Sequence, residues 1–271
     1  MIKYLLLIPA GVIIGLFGTL IGAGGGFVLV PLLLLLYPDE SPEIITAISL
    51  AVVFFNALSG SLAYGRMKRI DYKSGLLFSI TTVPGAIFGA LTTSFIPRRL
   101  FDLVFGILMI GASIFLFFYE MEKNESINKN RVFTIVRRVV ERDGMVHNFS
   151  YNPIGGLGLS FFVGYISSLL GIGGGIIHVP VLIHLLNFPV HIATATSHFI
   201  LAIMAFSGTN VHIITGAFSH GFRRTIALSA GVIPGAQFGA FLSRRVHGRW
   251  IIRGLAIGLG IVGIRIIVLT I

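Results

Sequence analysis

Cysteine is absent from the 271 residues, which excludes disulfides and thiol chemistry. Tryptophan occurs once, and charged residues make up only 11% of the chain. Acids are scarcer than bases, 10 against 20, and their positions matter more than their number. Glu120, Glu122, Glu125, Glu141 and Asp143 lie in one stretch; Asp39, Glu40, Glu43, Asp71 and Asp102 fall in loops or at the ends of apolar segments. No carboxylate is left in the middle of an apolar run, where a cation carrier or a carboxylate proton relay needs one. There is also no Gly-x-Ser-Gly, no His-Glu-x-x-His and no buried aspartate pair, so an intramembrane enzyme lacks its catalytic groups.

What is present is apolar. Hydrophobic residues make up 55% of the chain, there are 34 glycines, and the mean hydropathy is +0.95. These values exclude a water-soluble domain, and the glycine excess suits close helix contacts in lipid. A hydrocarbon core of about 30 Å takes roughly 20 residues per helix. Apolar stretches near 4–37, 44–64, 74–95, 100–118, 153–186, 193–217, 224–243 and 250–270 predict an all-α polytopic membrane helix bundle of about eight segments. The first stretch opens like a secretory signal but has no small-residue cleavage site, so it is expected to belong to the mature fold.

The chain says the same thing twice. "GAGGGFVLVP" at Gly22 to Pro31 returns as "GIGGGIIHVP" at Gly171 to Pro180. Thr46, Ser49, Ser59 and Gly60 return as Thr194, Ser197, Ser207 and Gly208, and "PGAIFGA" from Pro84 returns as "PGAQFGA" from Pro234. Three landmarks in one order predict two homologous halves, 1–118 and 153–271, each with a glycine-broken first helix. Residues 119–152 form a polar connector, where Asp143-Gly144 between valine-rich runs signals a β-hairpin; a disordered tether is the alternative.

Four crossings per half would make the repeats parallel. A stretch of 34 residues, however, is about 51 Å long as a helix, too long for one upright crossing. If the glycines turn the chain back to its own side, the repeats become inverted. On the eight-crossing count, Lys3, the Arg66 to Lys73 loop, the connector and Arg223/Arg224 share one side, and Asp39, Glu40 and Glu43 take the other. The excess of bases then predicts cytoplasmic termini and a cytoplasmic connector, with Arg98/Arg99 and Arg244, Arg245, Arg249 and Arg253 as exceptions.

The paired Gly-x-Gly-Gly-Gly-x-x-x-x-Pro motifs, with the Pro-Gly-Ala-x-Phe-Gly-Ala element after each, resemble the sulfite exporter TauE/SafE family over nearly the whole chain outside the connector. The resemblance implies a carrier in the plasma (inner) membrane of a prokaryote that exports sulfite, sulfonates or related small anions, coupled to an ion gradient. An anion channel, or a carrier of non-sulfur carboxylates, is the alternative.

The residues give a compatible reading of the site. Gly24, Gly25, Gly26, Gly173, Gly174 and Gly175 unwind the backbone, so new half-helices can start there and present free N–H groups to an anion. Glycine-mediated packing without a ligand is the competing account. Ser49, Asn56, Ser197 and His198 lie at helical spacings that favour one face of each helix, and Gln237 is polar where the first half has Ile87; these are the further substrate-binding candidates. Interhelical hydrogen bonding would explain the same residues.

Seven of eight histidines lie in the second half, and His178 or His198 is the candidate for proton coupling. Spacings of six or seven among His178, His184, His191 and His198 do not suit a metal site. The expected partners are a small anionic substrate, the lipid bilayer and, as an open alternative, further copies of the chain; no cofactor and no nucleic acid are expected.

Overall fold

The computed structural model describes residues 6–118, 134–243 and 249–270. The expectations for 119–133 and for Lys3, Arg244 and Arg245 lie outside the described residues. The protein is an all-α membrane bundle carrying one small sheet. The first half contains α1 (Leu7–Ile21), α2 (Gly26–Leu36), α3 (Pro42–Arg66), α4 (Tyr72–Thr93) and α5 (Arg98–Phe118). After strands β1 (Ile135–Val140) and β2 (Val146–Tyr151) come α6 (Pro153–Leu170) and α7 (Gly175–Pro180), which continues as a π-turn over Val181–Leu185. Helices α8 (Val190–Ile214), α9 (Phe222–Leu242) and α10 (Arg249–Thr270) complete the second half.

Three helices begin where a polar side chain takes a first free N–H group. Ser41 caps α3 and Asp71 caps α4, while Asn152 Oδ1 accepts from the N–H of Ile154 at 2.9 Å to open α6. Among the described residues, α3, α4, α6, α8 and α9 are long and apolar enough to cross a membrane. Their outer faces show large apolar side chains, among them Leu62, Ile80, Phe162, Ile213 and Phe238.

The glycine breaks turn the chain back. Gly22, Gly24 and Gly25 all have positive φ, from 76° to 83°, and Gly171, Gly173 and Gly174 repeat the pattern at 68° to 78°. Three left-handed residues out of four reverse the chain at little steric cost only if they are glycine. Gly25 thereby returns to the level of Ile14, whose Cγ2 is 2.7 Å from where a Gly25 Cβ would sit. Each 34-residue segment is therefore a helical hairpin.

Side contacts fix the directions. The Cβ positions of Gly231, Gly235 and Gly239 on α9 fall 2.1, 2.3 and 2.4 Å from the carbonyl oxygens of Ile8, Val12 and Leu16 on α1, so these two helices run parallel. Gly85 and Gly89 on α4 meet Phe161 O and Tyr165 O on α6 in the same way. The first helix of each half thus packs on the Pro-Gly-Ala-x-Phe-Gly-Ala helix of the other, through small residues four apart. Antiparallel pairing joins α3 with α8 and α5 with α10, where Ser113 Oγ donates to Ala256 O at 2.6 Å.

Helix α2 ends at Tyr37, whose ring lies 3.9 Å beneath the Arg224 guanidinium in the first turn of α9, and α1 starts beside the same end of α9. In the second half, Asn187 after the π-turn donates to Ser150 O at 3.4 Å, on the face where α6 begins. Each hairpin therefore returns to its own side. Each half then has three helices that run from one face of the bundle to the other (α3, α4, α5 and α8, α9, α10), an odd number, so the halves run in opposite senses.

This geometry corrects the expected topology. Arg223 and Arg224 lie on the face of Asp39, Glu40 and Glu43, with Arg224 paired to Glu40 at 2.6 Å, and not on the connector's face. Leu7 and Thr270 also lie on that face, opposite β1 and β2, so the two ends of the bundle and the connector do not share a side. The cause is the odd number of face-to-face helices in each half, which an upright reading of the glycine-broken segments makes even.

Candidate functional site

The two glycine breaks cross at the centre of the bundle. A Cβ on Gly24 would lie 2.5 Å from Leu201 and 3.1 Å from Val53, and one on Gly173 would meet the same two side chains at 3.4 and 2.8 Å. Gly26 abuts the Gly171 carbonyl, and Gly175 abuts that of Gly22. All six predicted glycines are buried, and they come together at one crossing. In α2 the Val28 and Leu29 N–H groups bond back to Gly25 O, so the earlier N–H groups of that first turn have no partner of their own within the helix.

Serines hold the crossing in place. Ser49 Oγ donates to Gly171 O at 2.6 Å and Ser197 Oγ to Gly22 O at 3.3 Å, so each half satisfies a carbonyl in the other's break. The structure gives these two predicted site residues a backbone partner each.

Asn56 and His198 meet through a residue that sequence reasoning did not single out. Thr19 Oγ1 donates to Asn56 Oδ1 at 3.2 Å and lies 3.2 Å from His198 Nε2. The Thr19 hydroxyl thus joins the Asn56 amide to the His198 ring, whose donor or acceptor role at Nε2 follows its tautomer. Tyr64 completes the group: its hydroxyl donates to Thr19 O at 2.8 Å, and its ring stands edge-on to His198, with centroids 5.8 Å apart. Thr19, Asn56 and His198 are fully buried, and Tyr64 nearly so. Asn56 Nδ2 and His198 Nδ1 are buried in an apolar interior without a hydrogen-bond partner in range.

A related polar group lies beyond the crossing on the other side. Thr46 Oγ1 is 3.5 Å from His212 Nε2, and Ser168 Oγ is 2.7 Å from the Cβ position of Gly208. Ser168 Oγ and His212 Nδ1 are buried and without partners. Thr19 and Ser168 occupy matching places three residues before the two breaks, a signal that was available in the sequence. Gln237 and His178 lie apart from both groups. Gln237 Nε2 donates to Ser59 O at 2.7 Å and to Ser59 Oγ at 2.9 Å, and His178 Nε2 lies 3.3 Å from Ser160 Oγ.

The arrangement is that of a transporter interior: irregular backbone at mid-depth, shielded by protein and flanked by open polar atoms. Comparison with known proteins agrees. The family model for the sulfite exporter TauE/SafE matches residues 7–266. The chain belongs to the TauE/SafE family. A probable membrane transporter protein of Bacillus subtilis, YunE, is 35% identical over 271 residues, covering 98% of this chain and 97% of that one. The probable membrane transporter protein MJ0441 of Methanocaldococcus jannaschii is 27% identical over 215 residues, 76% of this chain and 72% of its own. YdhB of Bacillus subtilis, also a probable membrane transporter protein, is 28% identical over 249 residues, 90% of this chain and 89% of its own. No solved structure matches the chain. This TauE/SafE protein is a multi-pass membrane transporter and not an enzyme.

Proposed function

We propose that the protein is a secondary carrier that exports small sulfur-containing or organic anions, such as sulfite or short sulfonates, across the plasma membrane of a prokaryote. The observation that carries this reading is the crossing of the two hairpin tips. The first turns of α2 and α7 start there, and every carboxylate among the described residues lies at one face or the other. An anion gains from helix N-terminal N–H groups and positive dipole ends, whereas a cation would find no counter-charge. Asn56 offers an amide N–H beside the crossing, and the His198 ring offers a place for a coupled proton. The export direction follows from the family alone.

The close-packed crossing favours a carrier over a channel, since Leu201, Val53 and the facing carbonyls leave no room for a Cβ at Gly24, Gly26, Gly173 or Gly175 and one side must loosen before the other. Charge favours one orientation: the face that holds the β1–β2 hairpin carries Arg66, Lys68, Arg69, Lys73, Arg137, Arg138 and Arg142 against Asp71, Glu141 and Asp143, while on the other face Arg98, Arg99, Arg223, Arg224 and Arg265 are nearly offset by Asp39, Glu40, Glu43 and Asp102. On the positive-inside rule the hairpin face is cytoplasmic and the two ends of the bundle are outside. Uptake of labelled sulfite into proteoliposomes tests the function. Saturation, competition by short sulfonates and stimulation by an imposed pH gradient are expected; current linear in concentration would instead mark a channel, and competition by carboxylates alone would move the substrate class.

A further inference from the structure

A half-open cavity of about 220 Å³ lies on the face that holds the β1–β2 hairpin, lined by Arg66, Arg69, Glu141, Arg142, Asp143 and Gln237 among others. The transport reading above does not use it. Its walls join three parts of the chain: the end of α3, the turn between β1 and β2, and α9. The turn is held in place by Arg142 N–H, which donates to Met67 O at 3.1 Å, and by Arg69, which is buried and paired with Glu141 at 2.6 Å. Glu141 also meets His147 Nε2 at 2.9 Å, so its charge is committed within the wall. Asp143 Oδ1 accepts from Met145 N–H at 3.3 Å within the turn itself. Arg66 and Arg142 are exposed and stand at the rim.

The floor points inward. Gln237 lines the cavity and bonds to Ser59, and the next residue, Gly60, packs directly on His198 and Thr19, with its Cβ position 2.5 Å from His198 Cδ2 and 3.1 Å from Thr19 Cγ2. The cavity is therefore separated from the Thr19, Asn56 and His198 group by one turn of α3. Its volume is below the several hundred Å³ of drug-sized pockets and suits an ion of a few heavy atoms.

We propose that this cavity is a docking site for a small oxyanion, with Arg66 and Arg142 supplying the attraction and Gln237 marking the way inward. The proposal rests on the anion-transport reading for its role but not for its test. Calorimetry on the full-length protein in detergent, titrated with sulfite at low salt, reads binding without transport. The R66Q/R142Q variant keeps the Arg69–Glu141 pair and is expected to bind sulfite roughly threefold to tenfold more weakly, while R66K/R142K stays within about twofold of the unaltered protein. In proteoliposomes the same Gln variant should raise KM and leave the maximal rate unchanged. Equal binding by the Gln variant, equal loss in the Lys variant, or no sulfite binding by the unaltered protein overturns the docking site. Binding that depends on Arg66 and Arg142 without any sulfite transport upholds the docking site and overturns the transport reading instead.

Discussion

The Ser49 hydroxyl donates to the Gly171 carbonyl across 2.6 Å and so ties a crossing helix of the first half to the backbone break of the second. A carbonyl at a helix end in an apolar interior has no water to turn to, and losing its donor leaves it bare. Ser49→Ala is expected to destabilise the protein by about 1 to 3 kcal/mol. Ser197→Ala, which removes a longer 3.3 Å bond to Gly22 O, should cost less. Thermal unfolding in detergent ranks the two, and an equal or reversed order would contradict the account.

The glycines separate into two classes that substitution by alanine should reveal. A Cβ on Gly85 or Gly235 would lie 2.3 Å from a backbone oxygen, Phe161 O or Val12 O, so either helix pair has to move apart. Both variants should lose folded protein. Gly111 and Gly158 have nothing within 4 Å, and alanine there should be neutral or stabilise by up to about 1 kcal/mol through helix propensity. Gly25→Val combines a φ of 82° with contact against Ile14, so it is expected to lower the amount of folded protein as well as transport. Yield and monodispersity on a sizing column distinguish these outcomes.

Opposite placement of the two loops is open to direct labelling, because the chain has no cysteine of its own. Asp143 lies in the turn between the strands and Arg223 in the first turn of α9, and both are exposed. Asp143→Cys and Arg223→Cys should react with a membrane-impermeant maleimide from opposite sides of sealed cells. Labelling of both from one side would be incompatible with inverted halves.

Acid should release the strands from the bundle. Burial works to raise the Asp71 pKa, but the Arg137 guanidinium and Ser74 outweigh it and hold the carboxyl below its ordinary value. A carboxylate whose folded pKa is depressed stabilises fully above its unfolded pKa of about 4, and that contribution is lost as pH falls through the folded value. Exchange protection factors in 135–151, corrected for the intrinsic pH dependence of amide exchange, should be unchanged from pH 8 to about 5 and fall below about 4. Asp71→Asn leaves Arg137 without its partner and should weaken docking by about 2 kcal/mol at neutral pH.

Coupling should depend on His198 more than on His178. His198 touches the polar group at the crossing, while His178 meets only Ser160 in hydrogen-bond range. His198→Gln should abolish stimulation by a pH gradient and leave downhill exchange, and His178→Gln should keep the stimulation. Gradient-driven accumulation by His198→Gln would remove the histidine from the mechanism.

Much of this protein is determined by the sequence alone. The scarcity of charge makes the bilayer its solvent, and in that solvent backbone groups close their hydrogen bonds within helices, so apolar runs become a bundle. The duplicated glycine motifs mark the two breaks and the family, because only glycine takes three left-handed residues at so little cost. Direction was decided by the tertiary structure. A run of 34 apolar residues reads alike whether it crosses once or doubles back, and only the return of Gly25 to Ile14 shows the hairpin that inverts the halves. The polar residues were equally undecided in sequence: Ser49, Ser197 and Asn56 all look like ligands along a helix. Which ones bond backbone, and which keep an open donor beside Thr19 and His198, depends on contacts between residues 37 to 179 positions apart, and no local pattern encodes those.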